Sequence, residues 1–207
     1  MSRRTKVQIV AWGLAAIASI LAVSVWASER LDGRLSAYDV FPLFGMLAFS
    51  LMWTHYITGA VRRYFRQPKE VVRSYSVATG AVVLALLFLH PVILIASLKR
   101  DGFGLPPASY RAVYPEAMQG VIMLGTVSLL IFLSFELKRW LNEKSWWYMV
   151  EYLQLLAMAL IFYHGLTLGR ELSVGWYRMV WWFYGVSFLV SVVYNYTYDK
   201  RRKDGTK

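Results

Sequence analysis

Six runs of apolar residues, separated by short polar connections, organise the chain. They cover about Val7 to Ala27, Val40 to Val61, Ser76 to Leu98, Ala117 to Leu137, Trp146 to Leu168 and Trp176 to Tyr196. Each holds roughly 20 residues, the length at which a helix rising about 1.5 Å per residue crosses a bilayer core. In lipid the backbone must satisfy its own hydrogen bonds, so such runs predict helices. The expected fold is an all-α membrane protein, a six-transmembrane-helix bundle forming a single domain over residues 1–207, with a basic tail at 197–207. The connection from Lys99 to Glu116 contains "DGFGLPPASY" and reads as a loop by its Gly and Pro content. No connection leaves room for a soluble domain, and neither an internal repeat nor a low-complexity segment is evident.

The first run, preceded by "MSRRTK" and ending in "VWAS", also reads as a signal peptide with a small-residue cleavage site. Removal of residues 1–27 would leave five spans in unchanged orientation.

Composition supports the membrane reading. The chain is 57% hydrophobic and 16% aromatic, and many Trp and Tyr residues fall near the ends of the runs, where amphipathic rings settle at the lipid–water interface. A net charge of +11 would point a soluble protein toward nucleic acid, but here the basic residues lie in the connections. Sixteen Lys and Arg fall on the side holding both termini, against seven on the other. The positive-inside rule then predicts both termini in the cytoplasm; the expected location is a bacterial inner (plasma) membrane.

The chain contains no cysteine, which excludes thiolate metal sites, iron–sulfur clusters and thioether haem attachment. It also lacks a P-loop, a dinucleotide Gly-rich fingerprint, HExxH and a nucleophile motif. A flavin or nicotinamide domain of its own is not encoded, so any redox centre must rest on His, carboxylates or a bound cofactor.

Only three histidines occur, His55, His90 and His164, and all fall inside spans. Intramembrane ionisable residues are costly and mark function or a partner, a hydrogen bond to a neighbouring helix being the structural alternative. The third and fifth spans run outward. His90 lies 8 residues before Leu98 and His164 lies 6 before Arg170. Both therefore sit roughly 10 Å below the outer surface. Two neutral imidazoles at one depth on parallel helices suit axial coordination of a haem iron from opposite faces. Small residues on the same helices, Gly80, Ala81, Ala157 and Ala159, leave room for a flat macrocycle or, equally, for close helix packing. Pro91 would bend the third span beside His90 and aim it. His55, 7 residues before Arg62, lies roughly 10 Å from the cytoplasmic surface instead.

Two segments, "SYSVATGAVVLALLFLHPVILIASL" and "WWYMVEYLQLLAMALIFYHGLTLG", resemble the third and fifth spans of ferric reductase-like transmembrane proteins. That family includes NADPH oxidases, metalloreductases and the haem-binding membrane subunit of the bacterial methionine sulfoxide reductase system. The resemblance is loose over spans two to six. It implies two histidines on each of the two helices, an inner and an outer pair, each pair clamping one b-type haem. His90 and His164 match the outer pair and would be the metal ligands. Ser76 and Glu151 stand at the inner positions, so the resemblance implies one haem b rather than two. His55 has the depth to serve a second cofactor on the inner half, a five-coordinate haem, quinone or flavin, with a hydrogen bond near Trp53 and Tyr56 as its structural alternative.

Haem propionates need cationic or hydroxyl partners. Arg170, six residues beyond His164, is the first choice, followed by Arg100, Lys99, Arg111 and Tyr110, each of which also reads as an interfacial group. Glu136 and Glu151 are expected to snorkel or to pair with Lys138, Arg139 or Lys144.

The leading expectation is an electron-transfer membrane subunit of an oxidoreductase system. It would take electrons from a cytoplasmic reductase or the quinone pool and pass them to an outer-face acceptor protein or metal ion. The alternative is a haem-free scaffold or assembly partner that kept the fold. No nucleic-acid partner is expected.

Overall fold

The computed structural model describes residues 1–30, 33, 35–136 and 147–204, the side chains at 135–136, 147–148, 150–151 and 202–204 excepted. Lys138, Arg139, Lys144 and the side chains of Glu136 and Glu151 lie outside it, and with them the pairing expected there. The regular elements are α1 (Arg3–Ser28), α2 (Ala37–Tyr64), α3 (Arg73–Arg100), α4 (Ala108–Val113), α5 (Glu116–Glu136), α6 (Trp147–Leu168) and α7 (Gly175–Asp204). Single 3₁₀ turns occupy Lys69–Val72 and Arg170–Ser173. The described residues contain no strand.

Four helical segments are long and apolar enough to cross a membrane: Arg3–Ser28, Ala37–Tyr64, Lys69–Arg100 and Glu116–Ser134. α6 adds a shorter apolar stretch, Tyr152–Leu168. α7 is long, but its hydrophobic face is built largely from Trp and Tyr and its last turns carry Asp199, Lys200 and Arg201. The apolar helices mark an integral membrane protein. Large apolar side chains such as Ile20, Phe88, Leu130 and Val190 point outward, as they should where the surrounding solvent is lipid. One departure from expectation is α4, a short helix inside the Lys99–Glu116 loop; Pro107 precedes it, where a missing N–H is harmless.

α1 buries one stripe, Val7, Ala11, Ala15, Ala18, Ala22 and Val25, at the three- and four-residue spacing of a helix face. Its four alanines let it lie close against α2. Ser2 caps α1 by accepting from the Thr5 N–H, and Asp39 Oδ2 accepts from the Ser36 N–H at the start of α2. α2 is the hub: it packs along α3, α1 and α7, while α5 and α6 pair with each other and reach the rest through α2 and α7.

Polar ties fix the two ends. Trp26 Nε1–H donates to the Asp39 carbonyl, Tyr38 OH to Asp101, and Arg30 to Glu171, gathering the end of α1, the start of α2, the end of α3 and the turn after α6 at one end. At the other end Gln8 donates to the Val71 carbonyl and Arg63 pairs with Asp199 at 2.7 Å. The start of α1 and the last turns of α7 therefore lie at the Arg63 end.

The core between α2, α6 and α7 is aromatic. Trp181 stacks on Phe49 with centroids 4.3 Å apart, Tyr184 lies 4.3 Å from Trp53, and Tyr56 meets Phe188 edge-on at 4.7 Å. α6 and α7 interlock reciprocally, Trp181 lying over Gly165 and Phe162 over Gly185, and Trp181 Nε1–H donates to the Phe162 carbonyl.

Stability should follow this distribution. Trp181→Ala, which empties the centre of the core, is expected to cost about 3–5 kcal/mol. Asp199→Asn, which breaks a pair whose carboxylate is 51% exposed, should cost less than about 1 kcal/mol. The hydrogen bond from Arg63 holds Asp199 below the usual carboxylate range. Its small contribution is thus present at neutral pH and lost as pH falls through that lowered value. Denaturant unfolding in detergent micelles at pH 7 and in acid checks both.

Candidate cofactor site

A histidine inside an apolar bundle must give its ring N–H to an acceptor, because no water competes for it. Helix carbonyls are the available acceptors. Each already receives the N–H four residues on but keeps a second lone pair. The side chain at position i+4 leans back toward the N-terminus, over the carbonyl of residue i, and bars a ring from reaching it. A glycine at i+4 removes that obstacle.

The bundle uses this device twice. His90, on α3, has its Nδ1 2.7 Å from the Phe41 carbonyl oxygen of α2, and Gly45 lies four residues after Phe41. A Cβ on Gly45 would sit 2.9 Å from His90 Cε1 and 3.0 Å from Nδ1. His164, on α6, has its Nδ1 2.9 Å from the Val121 carbonyl oxygen of α5, and Gly125 lies four residues after Val121. A Cβ there would approach His164 Cε1 to 2.6 Å and Nδ1 to 2.7 Å. Neither glycine tolerates a side chain without displacing its imidazole.

The acceptors determine the tautomers. A carbonyl only accepts, so His90 and His164 both carry hydrogen on Nδ1 and both present an Nε2 lone pair. Nε2 of each makes no hydrogen bond among the described residues. The two rings lie within electrostatic reach of each other at the Asp39 end. Their helices, α3 and α6, share no extended interface among the described residues. An N–H engaged by a carbonyl and a free Nε2 is the arrangement that orients a metal-ligating histidine.

His55 differs in every respect. It sits toward the Arg63 end, on α2, with Nε2 2.6 Å from Thr79 Oγ1 of α3. Thr79 donates its single proton to the Tyr75 carbonyl, so the His55 bond must run from Nε2–H to Thr79, leaving the lone pair on Nδ1. Tyr75 and Thr54 bond beside it. His55 thus ties α2 to α3 at the depth that could serve a second cofactor; Ser76, the residue at the inner ligand position, is half-buried on α3.

The expected propionate partners separate. Arg100 Nε donates to Asp101 at 2.8 Å, and Tyr38 donates to the same carboxylate; these two bonds hold Asp101 below the usual carboxylate range. Arg100 is accordingly occupied. Arg170 is exposed, has no ion pair or hydrogen bond from its side chain among the described residues, and lies within the field of Asp39. Lys99 and Arg111 are exposed, and Tyr110 packs edge-on against Tyr114. α3 runs unbroken through Pro91, and the feature that positions His90 is the Phe41 carbonyl with Gly45 across the helix interface.

Three features escaped the sequence reading. Gly45 and Gly125 each sit in an apolar run one helix before a histidine, a spacing signal too weak to stand out. The third is a buried ion pair: Arg30 donates to Glu171 Oε1 at 2.6 Å, with side-chain exposures of 7% and 0%, and Arg30 Nε lies 3.5 Å from Asp39. No three His, Cys, Asp or Glu side chains cluster as a metal site among the described residues. Compared with family models, curated proteins and solved structures, the chain matches none.

Imidazole ¹⁵N shifts should report the Nδ1–H tautomer at His90 and His164 and the Nε2–H tautomer at His55. Gly45→Ala and Gly125→Ala should each destroy that preference at the facing histidine and cost about 1–3 kcal/mol through overpacking. Histidine-selective labelling with long-range ¹H–¹⁵N spectra checks the tautomers, and denaturant unfolding checks the cost.

Proposed function

We propose that the protein is a membrane b-type cytochrome, an electron-transfer subunit in which His90 and His164 are the axial ligands of one haem between α3 and α6. The observation that carries this reading is the repeated carbonyl–glycine setting, which leaves two Nε2 lone pairs unengaged at one end of the bundle. An apolar bundle with only a structural use for these residues would not require both rings to be held in the same tautomer with the same nitrogen free. A bound haem would supply one-electron chemistry, its potential set by ligands, burial and hydrogen bonding.

The residues of the chain do the rest. The Phe41 and Val121 carbonyls hold the ligand protons on Nδ1 and raise the basicity of Nε2. Gly45 and Gly125 fix the ring positions. Arg170 is the cation proposed to meet a propionate, since Arg100 is engaged by Asp101. In this reading six helices span the membrane, α6 and α7 included, with both termini cytoplasmic in a bacterial inner membrane. The histidine pair then lies toward the outer face. Electrons come from a cytoplasmic reductase or from quinol within the bilayer, and go to an outer-face acceptor.

A haem-free scaffold draws support from one observation, the engagement of His55 by Thr79 at the depth where a second cofactor could have been held. Pyridine haemochrome analysis after expression with ample haem separates the two readings. One b-type haem per chain is expected; none would favour the scaffold. His90→Ala and His164→Ala should each abolish or convert the low-spin spectrum, His55→Ala should leave it unchanged, and Arg170→Gln should shift the midpoint potential without loss of haem.

A further inference from the structure

Each imidazole is pinned inside one helix pair, His90 against α2 and His164 against α5. Those bonds orient a ring within its own pair and leave open how the two pairs stand relative to each other. Ligands on separate helices serve one metal only if they are held within about 0.5 Å of the productive geometry. α3 and α6 share no extended interface among the described residues, so that spacing must be set elsewhere.

Aromatic packing joins the pairs, through Phe49 on α2, Phe162 on α6 and Trp181 on α7. Apolar faces, however, tolerate repacking and lose a unique arrangement before they lose stability. Arg30, just after α1, supplies a directional contact to both sides. Its Nη2–H donates to Glu171 Oε1 at 2.6 Å, and its Nε lies 3.5 Å from Asp39 Oδ1. Asp39 stands two residues before Phe41, whose carbonyl holds His90. Glu171 stands seven residues after His164, in a 3₁₀ turn tied back to α6 by the Gly169 N–H, which donates to the Gly165 carbonyl at 2.8 Å. One guanidinium therefore spans both ligand-bearing pairs at the end of the bundle where the imidazoles lie.

Arg30 is itself held in place. Its Nη1–H donates to the Trp26 carbonyl at 2.9 Å, its guanidinium lies 5.3 Å from the Trp26 ring centroid, and the Trp26 indole N–H donates to the Asp39 carbonyl. The side chains of Arg30 and Glu171 are 7% and 0% exposed. At such burial the desolvation of two charges offsets most of their attraction, so the pair adds little net stability; fixing a register is the best-attested use of such a pair.

We propose that Arg30 is a positioning residue whose bonds to Asp39 and Glu171 set the register of the α2–α3 pair against the α5–α6 pair, and so hold Nε2 of His90 and of His164 at the spacing one shared metal requires. What that spacing serves rests on the cytochrome reading; the clamp itself does not.

The chain has no cysteine, so nitroxide labels can be placed cleanly at Lys99→Cys near the end of α3 and Thr167→Cys near the end of α6, both exposed positions. Double electron–electron resonance on the haem-free full chain in detergent then reads the distance between the pairs. One narrow distribution is expected with Arg30 intact. Arg30→Met and Glu171→Gln should each broaden or split it by a few ångströms. The double variant Arg30→Met/Glu171→Leu puts apolar groups in place of both charges; it should keep the unfolding midpoint and still broaden the distribution, and it serves if the single variants do not fold. Asp199→Asn, which breaks the ion pair at the opposite end, should leave the distribution narrow. In haem-loaded protein the double variant should convert part of the low-spin signal to high-spin. An unchanged distribution in the folded variants, or equal broadening from Asp199→Asn, would overturn the proposal. Because the distances are read without haem, a chain that binds none would sink the cytochrome reading alone, and unchanged distances would sink the clamp alone.

Discussion

A neutral imidazole buried among apolar helices must place its one N–H on an acceptor, and this requirement organises the bundle. The acceptor within reach is a carbonyl already engaged in a neighbouring helix. Contact with it demands that the neighbour lack a side chain one turn later. Gly45 and Gly125 meet that demand, and with it they set how closely α2 approaches α3 and α5 approaches α6. One bond thereby fixes a helix pairing, a ring orientation and a tautomer. The free nitrogen is the consequence, and the proposed chemistry rests on it.

The two halves of the bundle consequently differ in character. Toward the Asp39 end, His90 and His164 each keep a lone pair unengaged. Toward the Arg63 end, His55, Thr79, Tyr75 and Thr54 satisfy one another across α2 and α3. A closed network of this kind rigidifies a helix pair and leaves little for a ligand. Under the proposed function, with the Arg63 end cytoplasmic, an electron from that side would cross the second half without a histidine pair to receive it. Quinol arriving from within the bilayer meets no such gap, which makes it the simpler donor under the proposed function.

The α2–α7 interface joins these ends through a different set of groups. Its aromatic layers supply most of the core, while Arg30, Glu171 and the unpaired hydroxyls place polar atoms in the midst of it. Packing alone would favour apolar residues of similar volume at these positions.

Much of this was legible in the sequence because it depends on local chemistry. A run of about 20 apolar residues can satisfy its backbone in lipid only as a helix, and the placement of the histidines along those runs gave their relative depth. The helices and their approximate limits follow from the chain read in one dimension, as does the expectation that His90 and His164 share one level. The shorter apolar stretch of α6 and the Trp and Tyr content of α7 set these two apart from the four helices of spanning length, since Trp and Tyr are both interfacial and core-forming. The sequence could not say which nitrogen of each imidazole is free, why Gly45 and Gly125 matter, or that Arg30 is buried against Glu171. Those properties join residues 49, 43 and 141 positions apart, and only the packing of whole helices brings such partners together.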